Sequence, residues 1–485
     1  MKKENRTYRR PSLGLALLIT FAIIGSLVGM ILANISLELA MFLSGLIGLV
    51  CCLLLGRSWD EVERQIIRSI SSVAVPVMIL ICVGINVAAW IAAGTVPSLM
   101  YYSLSFISPH LVVPMAFVLC ALMSVFTGTS LGSIATMGLA MMGVAQIVGA
   151  PVPLTVGAIV SGAMVGDKMS PMSDCTNLVP AMAGTTVYRY IGAVMKTTLP
   201  AGLITLAIFT VLGLTSTGNG STPEQIAEMM AVLKANYNIS VIALFPAALM
   251  VLVAVCKIPA ILGMGGCAIV SLVYALIVTR LPVAELASIA VNGFVSETGM
   301  PLIDVILTRG GITAMLGAIA TILLAAFLGS ALECSGVFDV IMEDGLADVV
   351  RTRRSLILLT MAASGFTVLA TGQQYLGAIL AGPMFSKSYD RMGIHRDMLA
   401  RALGDCGLSL FAAVPWSLGA VYTASVLGCD MSFIPYELFA WVVLVVSVLF
   451  TVLGITVKKA DETNFTAKEM AEKVVISHKN TEGEE

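Results

Sequence analysis

The stretch GDKMSPMSDCTN, Gly166–Asn177, decides how this chain is read. It sets Asp167, Lys168 and Asp174, with Gly166 and Pro171 as helix breakers, inside a sequence that is otherwise apolar. Of 485 residues, 58% are hydrophobic and 12% charged, and the mean hydropathy is +0.97. A soluble protein of this length needs more polar surface, so the class is an all-α polytopic membrane protein in a lipid bilayer. A charge at the bilayer centre costs roughly 2.5–3.5 kcal/mol even on lenient insertion scales, so three ionisable groups there call for a function.

Composition also excludes classes. The net charge is −2 and no basic block dominates, which argues against a nucleic-acid partner. The ten Cys lie in apolar runs without CxxC pairs, and a count of only three His argues against a His-based metal centre. No cofactor is implied beyond sodium, as a transported or coupling ion.

Outward from this stretch, the chain is written twice. Apolar spans at 12–34 and 36–55 are matched by 241–256 and 258–279, and 71–93 by 312–334. Amphipathic segments precede the third span in each half: Trp59, Val62, Ile66 and Ile70 share one helical face, and Leu286, Ile289, Ala290 and Phe294 share another. Then follow, in one order, Gly94 and Gly336, TGTSLG (127–132) and TGQQYLG (371–377), VGD (165–167) and LGD (403–405), VPAMAG (179–184) and VPWSLG (414–419). The expected domains are a cytoplasmic N-terminus (1–11), a first repeat (12–214), an extracytoplasmic linker (215–240), a second repeat (241–457) and a cytoplasmic tail (458–485).

Basic residues orient the repeats. With each T-G segment as the tip of a re-entrant hairpin, Arg57, Arg64, Arg68, Arg189 and Lys196 fall inside. The second half then starts outside and is inverted, with Arg351, Arg353, Arg354, Lys387, Arg391, Arg396 and Arg401 inside; Arg280 is the exception. Each repeat has about five transmembrane helices plus a hairpin. Inverted repeats with helices broken at mid-membrane mark secondary transporters working by alternating access. The expected location is the cell's inner membrane, multi-pass, with both termini cytoplasmic.

In this frame residues 152–166 descend to mid-membrane and stop at Gly166, and Pro171 and Pro180 forbid a continuous helix. Freed carbonyls near 166–176, with Asp167, Asp174, Ser173, Thr176 and Asn177, offer hard oxygen donors suited to an alkali cation. The hairpin tips add Thr127, Thr129 and Ser130, then Thr371, Gln373 and Gln374. Asp405 matches Asp167 in the repeat and joins the cation-coupling set. Lys168 balances carboxylate charge, and its side chain points away from that of its neighbour Asp167. Trp416 packs by default, with a cavity-wall role as its functional reading.

These residues resemble the NhaC-type sodium/proton antiporters, a branch of the ion-transporter superfamily. Beside GDKMSPMSDCTN, the similar blocks are WIAAGTVPSLMYYSL (90–104), TGTSLG, LTRGGI (307–312), TGQQYLGAILAGPMF (371–385) and LGDCG with VPW (403–416). The resemblance implies sodium-linked secondary transport, exchanging Na+ for H+ in typical members and carrying organic acids or amino acids in others. It also implies a homodimer in which a transport domain moves against a scaffold. Where the family pattern has Asp-Gln-Tyr, this chain has Gln373, Gln374 and Tyr375, so it departs at Gln373; it departs also at Gly404, where the pattern has Glu, and at Ser417, where it has Asn. Two acids are thus absent from the second half. The alternative is a small organic acid or amino acid coupled to sodium, with Gln373, Gln374 and Asp405 lining its pocket. An intramembrane aspartyl protease would need G-x-G-D, and Met164 and Ala402 stand where the first Gly belongs.

Overall fold

In lipid a helix satisfies its own backbone polar groups, and the apolar runs fold accordingly. The computed structural model describes residues 10–106, 109–171, 173–216, 223–256, 258, 260–337, 340–341, 352–455 and 457. The basic start at 1–9, Arg351 and the tail at 458–485 lie outside them. Among the described residues there is no β-strand, only one isolated bridge between Phe294 and Arg309.

The first half comprises α1 (Leu13–Leu32), α2 (Leu37–Leu54), α3 (Trp59–Ser72), α4 (Ala74–Ala92), α5 (Thr95–Phe106), α6 (Val112–Thr127), α7 (Ser130–Ser133), α8 (Leu139–Ile147), α9 (Val152–Met169), α10 (Asp174–Ala183) and α11 (Val187–Ser216). Between the halves lies α12 (Pro223–Asn236), and the second half comprises α13 (Phe245–Val255), α14 (Ala260–Thr279), α15 (Val283–Asn292), α16 (Pro301–Leu307), α17 (Ile312–Ser335), α18 (Arg353–Thr371), α19 (Leu376–Arg391), α20 (Arg396–Leu403), α21 (Leu418–Leu427) and α22 (Leu438–Leu453). Among the described residues, eight helical segments are long and apolar enough to cross a membrane, or nine if the bent pair Arg396–Ala413 and Leu418–Leu427 is one span. The protein is a multi-pass membrane protein. The sequence count of ten spans is higher because α13 has only 11 residues and α9 carries Asp167 and Lys168.

Two local readings are corrected. The helix through Gly166 does not stop there; it runs to Met169, and Ser170 N–H still bonds to Gly166 C=O at 3.0 Å. The stop falls at Ser170, with ψ 125°, because the residue before a proline is pushed out of the helical region. Pro180 does not break a helix but sits inside α10, where its missing N–H leaves Thr176 C=O without an intrahelical donor. Within the linker, α12 packs against α5 and buries Met229 and Leu233.

The centre of the molecule is α9, buried at every position from Leu154 to Lys168. It lies against α6 at backbone distance because Gly162 and Gly166 face it; a Cβ on either would sit 2.2 Å from Phe117 C=O or 2.3 Å from Ala121 C=O. The halves are also tied between α4 and α14, where Trp90 Nε1 donates to Ser271 Oγ at 3.0 Å and Asn86 Nδ2 to Met264 C=O at 3.0 Å.

Candidate functional site

Both T-G segments are helix breaks. Gly128 takes the left-handed conformation (φ 69°) and ends α6; Thr129 then caps α7, accepting Gly132 N–H at 3.3 Å. Gly372 (φ 67°) ends α18, and the chain resumes as helix at Leu376. A Cβ at Gly372 would lie 2.9 Å from Trp416 C=O. Trp416 in turn donates Nε1–H to Leu369 C=O at 3.0 Å, so it braces this tip from behind. α7 is followed by a π-helical turn, Ile134–Gly138, and a second π-helical turn, Gly404–Leu408, carries Asp405; such turns concentrate at functional sites.

A cavity of about 870 Å³ opens where the breaks meet. Its lining includes Thr127, Thr129 and Ser130 from the first tip, Thr371, Gln373 and Gln374 from the second, and Asp167, Ser173 and Asp174 from the opening stretch. The second tip touches the first break directly: Gln374 Nε2 donates to Cys175 Sγ at 3.1 Å, and Cys175 Sγ lies 3.9 Å from Tyr375 Oη. Asp167 is buried, with Ser173, Cys175 and Ser130 near its carboxyl group. Asp174 opens α10 and is exposed to the cavity, with the helix N-terminus favouring its negative charge.

Other candidate residues stand outside that lining. Thr176 Oγ1 donates to Asp167 C=O at 3.2 Å, and Asn177 Nδ2 donates to the carbonyls of Ser173 at 2.8 Å and Pro171 at 3.3 Å. Their side chains thus stitch the broken backbone and occupy carbonyls that the sequence reading offers to a cation. Lys168 and Asp405 form a buried ion pair at 3.0 Å. Lys168 also donates to Ser409 Oγ at 3.0 Å, while Asp405 accepts from Thr197 Oγ1 at 2.8 Å and Ser447 Oγ at 2.8 Å. Asp405 is therefore joined to Lys168, and both stand outside the cavity lining.

Several lining and buried groups escape sequence reasoning. Arg68 and Glu333 line the cavity and also a neighbouring recess of about 620 Å³ that holds Arg57 and Arg64. Tyr375 was legible only as a member of the TGQQYLG motif. Glu437, fully buried, had an available signal: an acid interrupting the apolar run from Met431 to Leu453.

Broken helices whose ends meet at a cavity, with acids facing it, point to a membrane transporter of the secondary, ion-linked class. Residues 10–176 and 162–455 match the profile of the Na+/H+ antiporter family. The chain belongs to that family. It is 34% identical over 423 residues to the Na(+)/H(+) antiporter NhaC of Alkalihalophilus pseudofirmus, covering 85% of this chain and 91% of that protein. It is 31% identical to the Na(+)/H(+) antiporter NhaC of Bacillus subtilis, covering 86% and 92%. It is also 31% identical to the malate-2H(+)/Na(+)-lactate antiporter of Bacillus subtilis, covering 87% and 90%.

Proposed function

We propose that this protein exchanges Na+ for H+ by alternating access, with the cation held at the first break. The observation that carries the reading is the meeting of Asp167, Asp174, Ser173, Thr129 and Ser130 in one cavity. Carboxylate and hydroxyl oxygens suit a hard monovalent cation, and a carboxylate can hold either sodium or a proton but not both. In this reading the T-G segments are re-entrant tips, the two repeats are inverted, both termini face the cytoplasm and the protein works as a homodimer in the cell membrane. Asp405 acts through Lys168 rather than as a direct ligand, and sodium is cargo, with no other cofactor invoked.

The test loads proteoliposomes with a pH-sensitive dye and applies a sodium gradient without organic solute. The wild-type protein is expected to change the lumenal pH, and Asp167→Asn to abolish the change while still inserting. Wild-type sodium response in that variant would remove the site from this account.

A second reading is favoured by the cavity's size. About 870 Å³ falls in the range of pockets for small organic ligands and is far larger than one cation needs. Gln373 and Gln374 offer both donors and acceptors there. A small organic acid or amino acid exchanged against sodium fits that chemistry; sodium-stimulated uptake of one labelled solute, with no pH response in its absence, would establish it instead.

A further inference from the structure

Glu437 stands at the joint where a short turn, Met431–Tyr436, becomes α22. That joint is pressed on α9: a Cβ at Gly157 would lie 2.2 Å from Tyr436 C=O, and one turn on, Ser161 Oγ accepts Phe439 N–H at 3.2 Å. Glu437 caps α22, its Oε2 accepting Ala440 N–H at 2.8 Å. Its Oε1 is buried and has no hydrogen-bond partner among the described residues, while the Ser161 hydroxyl stands close to the carboxyl group.

Capping does not account for a glutamate here. One acceptor oxygen is all a cap requires, and Ser, Thr, Asn or Asp supply it better. A buried carboxylate with one oxygen unpaired costs several kcal/mol, whereas the neutral acid avoids burying a charge. The charged group that neighbouring elements bring to bear on it, among the described residues, is Lys168 of α9. Ser161 and Lys168 are seven residues apart and so share a face of that helix, with Lys168 Nζ 5.5 Å from the centre of the Phe439 ring. Asp405 and Ser409 hold Lys168 from the other side, and Arg401 lies at the far end of α22, donating to Thr451 Oγ1 at 3.0 Å.

We propose that Glu437 is a proton-binding residue of the transport cycle, outside the cation cavity and coupled to it through α9. The proposal rests on the antiport reading above. The coupling has the sign an exchanger needs. Sodium arriving at Asp167 adds positive charge to the end of α9 that Lys168 occupies, which favours loss of the Glu437 proton; sodium leaving favours its return.

The test uses the full chain in proteoliposomes with two readouts, the sodium-driven pH change and the exchange of radiolabelled sodium across the bilayer. In Glu437→Gln, whose amide oxygen still caps α22, the pH change is expected to fall to the level of protein-free vesicles while sodium–sodium exchange persists. A pH change of wild-type size, or loss of both readouts, would overturn the proposal. Should the Gln variant not be recovered folded, Glu437→Asp keeps the acid and is expected to shift the pH profile of exchange; an unmoved profile overturns the proposal equally. Absence of any sodium-driven pH change in the wild-type protein would instead defeat the antiport reading itself.

Discussion

Two adjacent residues, Asp167 and Lys168, divide the labour of α9. Consecutive side chains on a helix diverge, so Asp167 faces the cavity and Lys168 turns to Asp405 behind it. Removing one member of a buried pair leaves an uncompensated charge. Lys168→Met or Asp405→Asn is therefore expected to destabilise the protein by about 3–5 kcal/mol, with the double variant regaining much of that loss. Thermal denaturation of the purified protein in detergent checks this; additive losses would show that the two do not act as a pair. Asp167, whose partners are hydroxyls and a thiol, is expected to be replaced by Asn with little change in melting.

At the scale of elements, the site depends on how closely α6 and α9 approach. Gly162 and Gly166 let the helices touch through backbone, and this sets Ser130, just beyond the end of α6, against Asp167. Gly162→Ala would push a methyl group into Phe117 C=O, an overpacking that costs about 1–3 kcal/mol. The expected outcome is lower thermal stability together with weaker sodium dependence of transport. Gly192→Ala, whose Cβ would meet nothing within 4 Å, is the control and should leave both unchanged. The breaks themselves were legible in sequence because Gly and Pro act locally. Where α9 stops, at Ser170 rather than Gly166, follows from the next residue being Pro171.

In the whole molecule, the cavity exists only because the second tip reaches across to the first break. Gln374 and Cys175 touch although 199 residues separate them. Under oxidation, Gln374→Cys is expected to bond to Cys175, lock this conformation and stop transport, with a reductant restoring it. The same variant in a Cys175→Ser background should be insensitive to oxidant, as measured by flux before and after treatment. Unchanged flux in the oxidised single variant would mean that these segments do not part during the cycle.

The sequence by itself determined the membrane class, the transport family and the segments in which helices break, since hydropathy, Gly, Pro and charge act over a few residues. It also marked Asp167, Asp174, Ser173 and both T-G tips, because polar groups in an apolar run stand out wherever the chain goes. Tertiary structure alone decided which of them share a space. It set Thr176 and Asn177 to closing the backbone, gave Asp405 to Lys168, placed Arg68 and Glu333 at the cavity wall and left one oxygen of Glu437 unpaired. Those outcomes depend on distances between segments far apart in the chain, which local pattern does not encode.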